Sequence, residues 1–252
     1  MNCVITGAAA GIGRALATRL TTDGHSIVGV DVDVEASART RAELRNKGAD
    51  VSFLNADLAT EDGVNSVAAE LAGHPPIDVL IHNAGINHLA PFAASNLDQQ
   101  RKIVQVNLLA PILLTTQLLR TNRLADSGSL VFVASLSHFV SYPGAAVYAA
   151  SKDGLVSYAK SLSVALRPRH ISVLTVFPGP TRTEHARRHS PDNHCEHRRM
   201  PPEKLANLIC RSIRRRRRIL VPGFSNKLVH ATAHFFPRFA ERQMRKAIFQ
   251  KI

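Results

Sequence analysis

Cysteine is scarce in this 252-residue sequence: Cys3, Cys195 and Cys210 are its only three. They are too few and too scattered for a disulfide framework, so reduced thiols are expected. Long hydrophobic runs are missing as well. Apolar stretches such as Val28–Val30, Val79–Ile81 and Leu130–Val133 fall far below the roughly 18 residues that cross a bilayer, and no segment reads as transmembrane. The opening residues Met1 to Gly7 lack a basic region followed by an apolar core and a cleavage site, which predicts a cytoplasmic location. There is no internal repeat and no long linker. His185, His189, His194, Cys195 and His197 lie close together, but their spacing matches no standard zinc pattern and no metal is expected.

What is present suffices for one substantial core, because 45% of the residues are hydrophobic. The expected organisation is a catalytic domain over 1–223 and an extension over 224–252. Charge is divided unevenly along that length. Residues 1–181 carry 14 basic and 14 acidic side chains, so the formal net charge of +13 lies wholly after Thr181.

Short Val- and Ile-rich runs alternate with helical patterns, the signature of βαβ units and a parallel sheet covered on both faces. Strands are predicted near 2–6, 26–31, 51–55, 77–82, 128–135, 171–177 and 218–221. Helices are predicted near 11–23, 35–47, 60–72, 98–123, 147–168 and 203–216. Right-handed crossovers then give an α/β fold, a single-domain, Rossmann-like doubly wound sheet. Gly24 and Gly48 suit left-handed helix ends, and Pro178 and Pro180 stop the sixth strand. Residues 184–202 are polar, rich in His and Arg and without periodicity, and read as a mobile loop over the active site.

Thr6-Gly7-Ala8-Ala9-Ala10-Gly11-Ile12-Gly13 follows a strand and opens a helix. Small residues there let backbone amides approach a pyrophosphate at the positive helix end, and Gly7, Gly11 and Gly13 each have a steric reason to be present. A tight strand-to-helix turn uses glycine for geometry alone, so context decides. The second strand ends at Asp31, twenty positions after Gly11, where a carboxylate can bond the adenosine ribose and repel the extra phosphate of NADP. Ala10 supplies no cation for that phosphate. Both residues favour NAD(H), with NADP(H) as the other cofactor the turn accommodates. Asp57 reads equally as a partner for the adenine amino group or as a turn cap. Asn83, in Asn83-Ala84-Gly85, reads as part of the ligand crevice or as a tie between strands.

Tyr148-Ala149-Ala150-Ser151-Lys152 opens a helical pattern and sets phenol and ammonium one turn apart on one face. A phenol with a pKa near 10 is a poor acid–base catalyst at neutral pH, and a neighbouring cation is expected to lower it. Tyr148 would then be the acid in reduction and the base in oxidation. Ser135 ends the fifth strand, where its hydroxyl can hold a substrate oxygen as charge develops. Asn107, within the long fourth helix, can orient a water linked to Lys152. Taken singly, each is an ordinary surface pair or cap; their joint occurrence is not.

In order and spacing, the glycine turn, Asn83-Ala84-Gly85, Asn107, Ser135, Tyr148-x-x-x-Lys152 and Pro178-Gly179 resemble the short-chain dehydrogenase/reductase family over Asn2 to Thr183. The resemblance implies hydride transfer between a nicotinamide cofactor and a small-molecule secondary alcohol or ketone. It implies that Ser135 positions the carbonyl, that Asn107 supports a proton relay and that Lys152 also holds the nicotinamide ribose. It further makes Ile12, Pro178, Gly179, Thr181 and Thr183 cofactor neighbours, and a homodimer or homotetramer is expected. The departures are few. His82 stands where the family often has Asn, Ala134 where a second Ser is common, and the chain begins almost inside its first strand.

Arg214–Arg218 is a dense basic run. It lacks the interleaved aromatics of a nucleic-acid surface, and a solvated face is its plainest reading. The stretch 224–252 holds five of the ten phenylalanines among Lys227, Arg238, Arg242, Arg245 and Lys246. Such an apolar, basic segment suits packing on the core, a subunit contact or peripheral contact with a membrane, with protein packing favoured slightly. Pro237 interrupts any single long helix. Similar tails occur in short-chain dehydrogenases that handle apolar substrates, so the resemblance also implies an apolar, lipid-like substrate. A rival class of function, a cofactor-binding regulator or scaffold whose tail finds an anionic partner, is opposed by the intact Asn107, Ser135, Tyr148 and Lys152 set.

Overall fold

The computed structural model describes residues 1–190 and 192–248; Pro191, in the 184–202 loop, and the last four residues of the extension lie outside the described residues. The strands are β1 (Asn2–Thr6), β2 (Ser26–Asp31), β3 (Val51–Asn55), β4 (Ile77–His82), β5 (Leu124–Val133), β6 (Ser172–Val176) and β7 (Ile219–Leu220). They form one parallel sheet in the order β3-β2-β1-β4-β5-β6-β7. The chain turns back between β1 and β4. In such sheets a ligand crevice opens at that switch point, outside the carboxyl ends of the strands.

Ten helices are described: α1 (Gly11–Thr22), α2 (Val34–Arg45), α3 (Glu61–Ala72), α4 (Leu97–Val104), α5 (Ala110–Arg120), α6 (Ala146–Ala165), α7 (Glu184–Arg188), α8 (Pro202–Arg214), α9 (Phe224–Phe235) and α10 (Pro237–Ala247). Successive strand residues point to opposite faces, which splits the core in two. Ile5, Val79 and Val131 pack with Leu16 and Leu20 of α1 and Ile209 of α8. Val4, Leu80 and Phe132 pack with Val67 of α3, Leu114 of α5 and Leu155 of α6. Because both faces are covered, the strands read as continuous apolar runs rather than alternating ones. Gly24 and Gly48 both adopt a φ of 78° beyond α1 and α2, the left-handed ends expected of them.

Some elements depart from the sequence reading, each for a local reason. β5 begins at Leu124, before the expected residue 128, because left-handed Ser127 and a register shift against β4 break its period-two pattern. The expected helix over 98–123 is divided by a π-helical turn, Gln105–Leu109, which carries Asn107 inward. Taken as one helical run, Leu97–Arg120 is long and apolar enough to cross a membrane by length and composition. Its polar residues are interspersed, which is why no unbroken apolar run marked it, and it is packed beside α3 and α6 with Ile103, Ala110, Leu114 and Leu118 buried. The 184–202 segment is not formless. Thr183 Oγ1 caps α7 by accepting from Ala186 N at 3.1 Å, and Arg187 pairs with both Glu184 and Glu196.

The arginine run precedes β7 and so lies at the amino end of the sheet. All five side chains are exposed, as the reading of a solvated face expected, and three of them also tie neighbouring elements together. Arg214 pairs with Asp23 at 3.1 Å, Arg216 donates to the carbonyls of Ser127 and His170, and Arg218 donates to Ser163 Oγ.

Candidate active site

A cavity of about 970 Å³ opens at the carboxyl ends of the strands. The glycine turn enters it from β1. Gly7 has a φ of 66°, and a Cβ there would meet the Ala84 Cα at 2.8 Å; a Cβ on Gly13 would come within 1.9 Å of the Gly7 carbonyl oxygen. The turn can therefore fold this tightly only with glycine at these positions. Asn83 locks it from β4, donating from Nδ2 to the Thr6 and Gly7 carbonyls at 3.0 Å each. Thr6 Oγ1 accepts from the Asn83 and Ala84 amides. Of the two readings left open for Asn83, the tie between strands is realised, and Asn83 also lines the cavity.

No side chain caps α1 at Ala10, whereas Asp33, Thr60 and Asn96 cap α2, α3 and α4. A helix start bare of side chains, fronted by glycine, fits a pyrophosphate. At the end of β2, Asp31 accepts from the Ala9 amide at 2.9 Å and faces the same cavity. Asp57 serves its turn by accepting from Ala59 N at 2.9 Å, and it lies 3.8 Å from Lys102 Nζ. Lys102 lines the cavity too and escaped the sequence reading. Its signal was helical phase, since Val106 one turn on shares that wall.

Ser135, Tyr148 and Lys152 line the same cavity, with Pro178, Gly179, Thr181 and Thr183; Gly13 and Asn107 stand behind the wall. β5 ends just before Ser135, and α6 carries Tyr148 and Lys152 on one face. Lys152 is buried and donates to the Val133 carbonyl at 2.9 Å. Asn107 Oδ1 accepts from Ile86 N at 2.8 Å, while its Nδ2 donates to Ile86 O at 2.9 Å and Ser151 Oγ at 3.1 Å. The Thr181 and Thr183 hydroxyls are engaged locally, donating to the Gly179 and Thr181 carbonyls.

The electrostatics differ from the expectation of a lowered phenol pKa. Desolvation pushes the Tyr148 phenol up to about 12, with the neighbouring Ser135 hydroxyl pulling the other way. Tyr148 is half-buried by surface area, its phenol facing the cavity and protein surrounding the rest. The same loss of solvent brings the Lys152 ammonium down to about 8. Burial outweighs mutual attraction because it disfavours both charged forms.

At the far end of the cavity the 184–202 segment lies over the site, as expected of it, while Tyr142 and the tail residues beside it were not legible in the sequence. Tyr142 stands edge-on to Tyr148 with ring centres 6.1 Å apart and donates to the His189 carbonyl at 3.3 Å. His185, His189 and Arg199 reach this wall from the 184–202 segment, and Val229, Met244 and Ile248 from α9, α10 and the residue after it. The tail thus packs over the site.

Comparison with known proteins gives a consistent picture. A family model described as short chain dehydrogenase matches residues 2–194. A cyclopentanol dehydrogenase from Comamonas sp. is 32% identical over 177 residues, spanning 70% of this chain and 71% of that one. Among solved structures, a short-chain dehydrogenase from Sphingobium yanoikuyae in complex with NADPH is 26% identical with a TM-score of 0.79, over 96% of this chain and 93% of that one. A bulky-bulky ketone specific alcohol dehydrogenase from Comamonas testosteroni is 25% identical with a TM-score of 0.77, over 94% and 93%.

Proposed function

This chain belongs to the short-chain dehydrogenase/reductase family, an enzyme class acting on CH–OH and C=O groups with a nicotinamide cofactor, and from that premise we propose that it transfers a hydride between NAD(H) and an apolar secondary alcohol or ketone. The observation that carries this reading is the convergence of Ser135, Tyr148 and Lys152 on the cavity that the glycine turn also enters. The bound dinucleotide supplies the hydride acceptor or donor.

Every other part of the chemistry falls to the chain. Gly7, Gly11 and Ile12 present backbone to the pyrophosphate, with Gly13 closing the turn behind them, and Asp31 and Asp57 serve the adenosine end. Asn83, Ala84, Gly85, Pro178, Gly179, Thr181 and Thr183 flank the nicotinamide half. Ser135 holds the substrate oxygen, and Tyr148 gives it a proton in reduction and takes one in oxidation. Lys152 steadies the phenolate and the nicotinamide ribose, while Asn107 shapes the wall behind it. The Asp31 carboxylate supports NAD(H), since it would repel a 2′-phosphate. Leu136, Val140, Val229 and Met244 support an apolar substrate by lining the cavity, as does the likeness to an alcohol dehydrogenase specific for bulky ketones. The same reading takes 1–223 as the catalytic domain, 224–252 as its extension, and a homodimer or homotetramer as the active assembly.

The test is NADH and NADPH oxidation by the purified chain over paired apolar and small polar ketones. Turnover of apolar ketones with NADH, lost in Tyr148→Phe with NADH binding intact, is the expected result. Full activity of Tyr148→Phe would refute the catalytic assignment, and a preference for NADPH would refute the role given to Asp31.

A further inference from the structure

The α9–α10 pair turns its sides to different surroundings. Val229, Met244 and Ile248 face the cavity. Helical spacing sets Ala240, Met244 and Ile248 along one stripe of α10 and Arg238, Arg242 and Arg245 along the other; those arginines are exposed. On α9, Phe224 and Leu228, one turn apart, are 83% and 58% exposed, and the elbow adds Phe236 at 64% and Phe239 at 54%. Residues 224–248 carry five Lys and Arg against a single acid, Glu241.

Large apolar side chains left open in such number mark a docking surface. Its charge selects the occupant. In a two-fold contact a second copy would bring the same patch against itself, setting arginine beside arginine. Anionic headgroups answer those cations, and an interface between headgroup and acyl chain accepts phenylalanine and leucine beside them. The Arg214–Arg218 run offers no such surface, since three of its side chains are engaged in the fold at the other end of the sheet.

We propose that the α9–α10 elbow docks on an anionic phospholipid bilayer, with Phe224, Leu228, Phe236 and Phe239 in the interface and Arg238, Arg242 and Arg245 at the headgroups. The helices that rest on the membrane are then the ones that wall the cavity. An apolar alcohol or ketone dissolved in the bilayer meets the enzyme beside its site. Docking does not depend on hydride transfer, so the two readings fail separately.

The experiment is co-sedimentation of the full chain with phosphatidylcholine vesicles, with and without phosphatidylserine. Partitioning should be roughly tenfold or more stronger with phosphatidylserine and should weaken as salt rises. Phe236→Ser/Phe239→Ser and Arg242→Gln/Arg245→Gln should each reduce it by about tenfold, with the melting temperature and NADH binding kept as checks on folding. Tyr148→Phe should sediment like the unaltered chain. A chain that stays in the supernatant with phosphatidylserine vesicles overturns the proposal. So does partitioning unchanged in both double variants, or a dimer that the phenylalanine variant dissociates in a chain that never binds vesicles.

Discussion

The Lys152 ammonium lies 5.9 Å from the centre of the Tyr148 ring, tethered by its bond to the Val133 carbonyl. That tether holds a cation beside a phenol in a site that disfavours both charges. With Lys152 brought down to about 8 and Tyr148 pushed up to about 12, the ammonium is the first of the two to give up its proton, near pH 8, and the phenol keeps its own. A phenolate forming as Tyr148 hands its proton to the substrate oxygen is steadied only while that cation is present. Ketone reduction should therefore fall as pH rises through about 8. Profiles of kcat/KM between pH 6 and 10 measure this, and a flat reduction profile would contradict it. Lys152→Met should lower reduction at pH 7 and remove the fall, since no ammonium remains to be lost.

Asn107 is wholly buried, and both ends of its amide are used: it closes two hydrogen bonds with the backbone of Ile86 and a third with Ser151. Asn107→Ala leaves the part-buried N–H and carbonyl of Ile86 without their partner, which costs about 1 kcal/mol, the low end for a group that water can partly reach. Urea unfolding should show that loss, together with reduced turnover, because the Ile86 loop borders Lys152 and Gly85. A variant as stable as the unaltered chain would remove the positioning role.

Much of the architecture can be read from residues 2–183 alone, because parallel strands covered on both faces write themselves as short Val/Ile runs and the glycine turn locates the crevice end. Local patterns say less about which group a side chain will meet. Asn83 had two readings until the Thr6 and Gly7 carbonyls were seen within reach of its amide, and Asp57 turned out to serve its own turn as well as the cavity wall. The start of β5 was hidden by one left-handed residue, Ser127. Val229, Met244 and Ile248 lay beyond any such reading: their place at the cavity depends on how two C-terminal helices fold back, and no spacing in the sequence records that. The phenol pKa failed for a related reason, since i,i+4 spacing reports proximity to Lys152 and says nothing of desolvation.

Glycines separate into those that the turn requires and those that merely occur. Gly13→Ala would drive a methyl group to within 1.9 Å of the Gly7 carbonyl, so the turn must open. NADH affinity should fall by at least about tenfold, the equivalent of 1.4 kcal/mol, and the melting temperature should drop. Gly73, after α3, has ordinary helical dihedrals, and a methyl there would meet its nearest neighbour at 3.6 Å. Gly73→Ala should be neutral or stabilising by about 0.4–1 kcal/mol through the unfolded state. Equal losses in the two variants would discredit the steric account.

His82 makes the low-pH behaviour of the fold predictable. It is buried at the end of β4, stacks on Phe132 with centroids 5.1 Å apart and shares a 2.7 Å hydrogen bond with Thr115. Burial, with Lys152 adding repulsion, brings its pKa down from 6.5 to about 3. Between those values the unfolded chain binds a proton that the folded chain refuses. Acid therefore favours unfolding, and the contribution of His82 to stability, complete above about pH 6.5, is lost as pH falls toward 3 at no more than about 1.4 kcal/mol per unit. His82→Asn keeps a polar partner for Thr115 and removes the titration. Its denaturation midpoint should be lower than that of the unaltered chain at pH 7, and the gap should close by pH 5, since the remaining histidines titrate alike in both proteins. Parallel pH dependence in the two would show that His82 accepts its proton without unfolding the site around it.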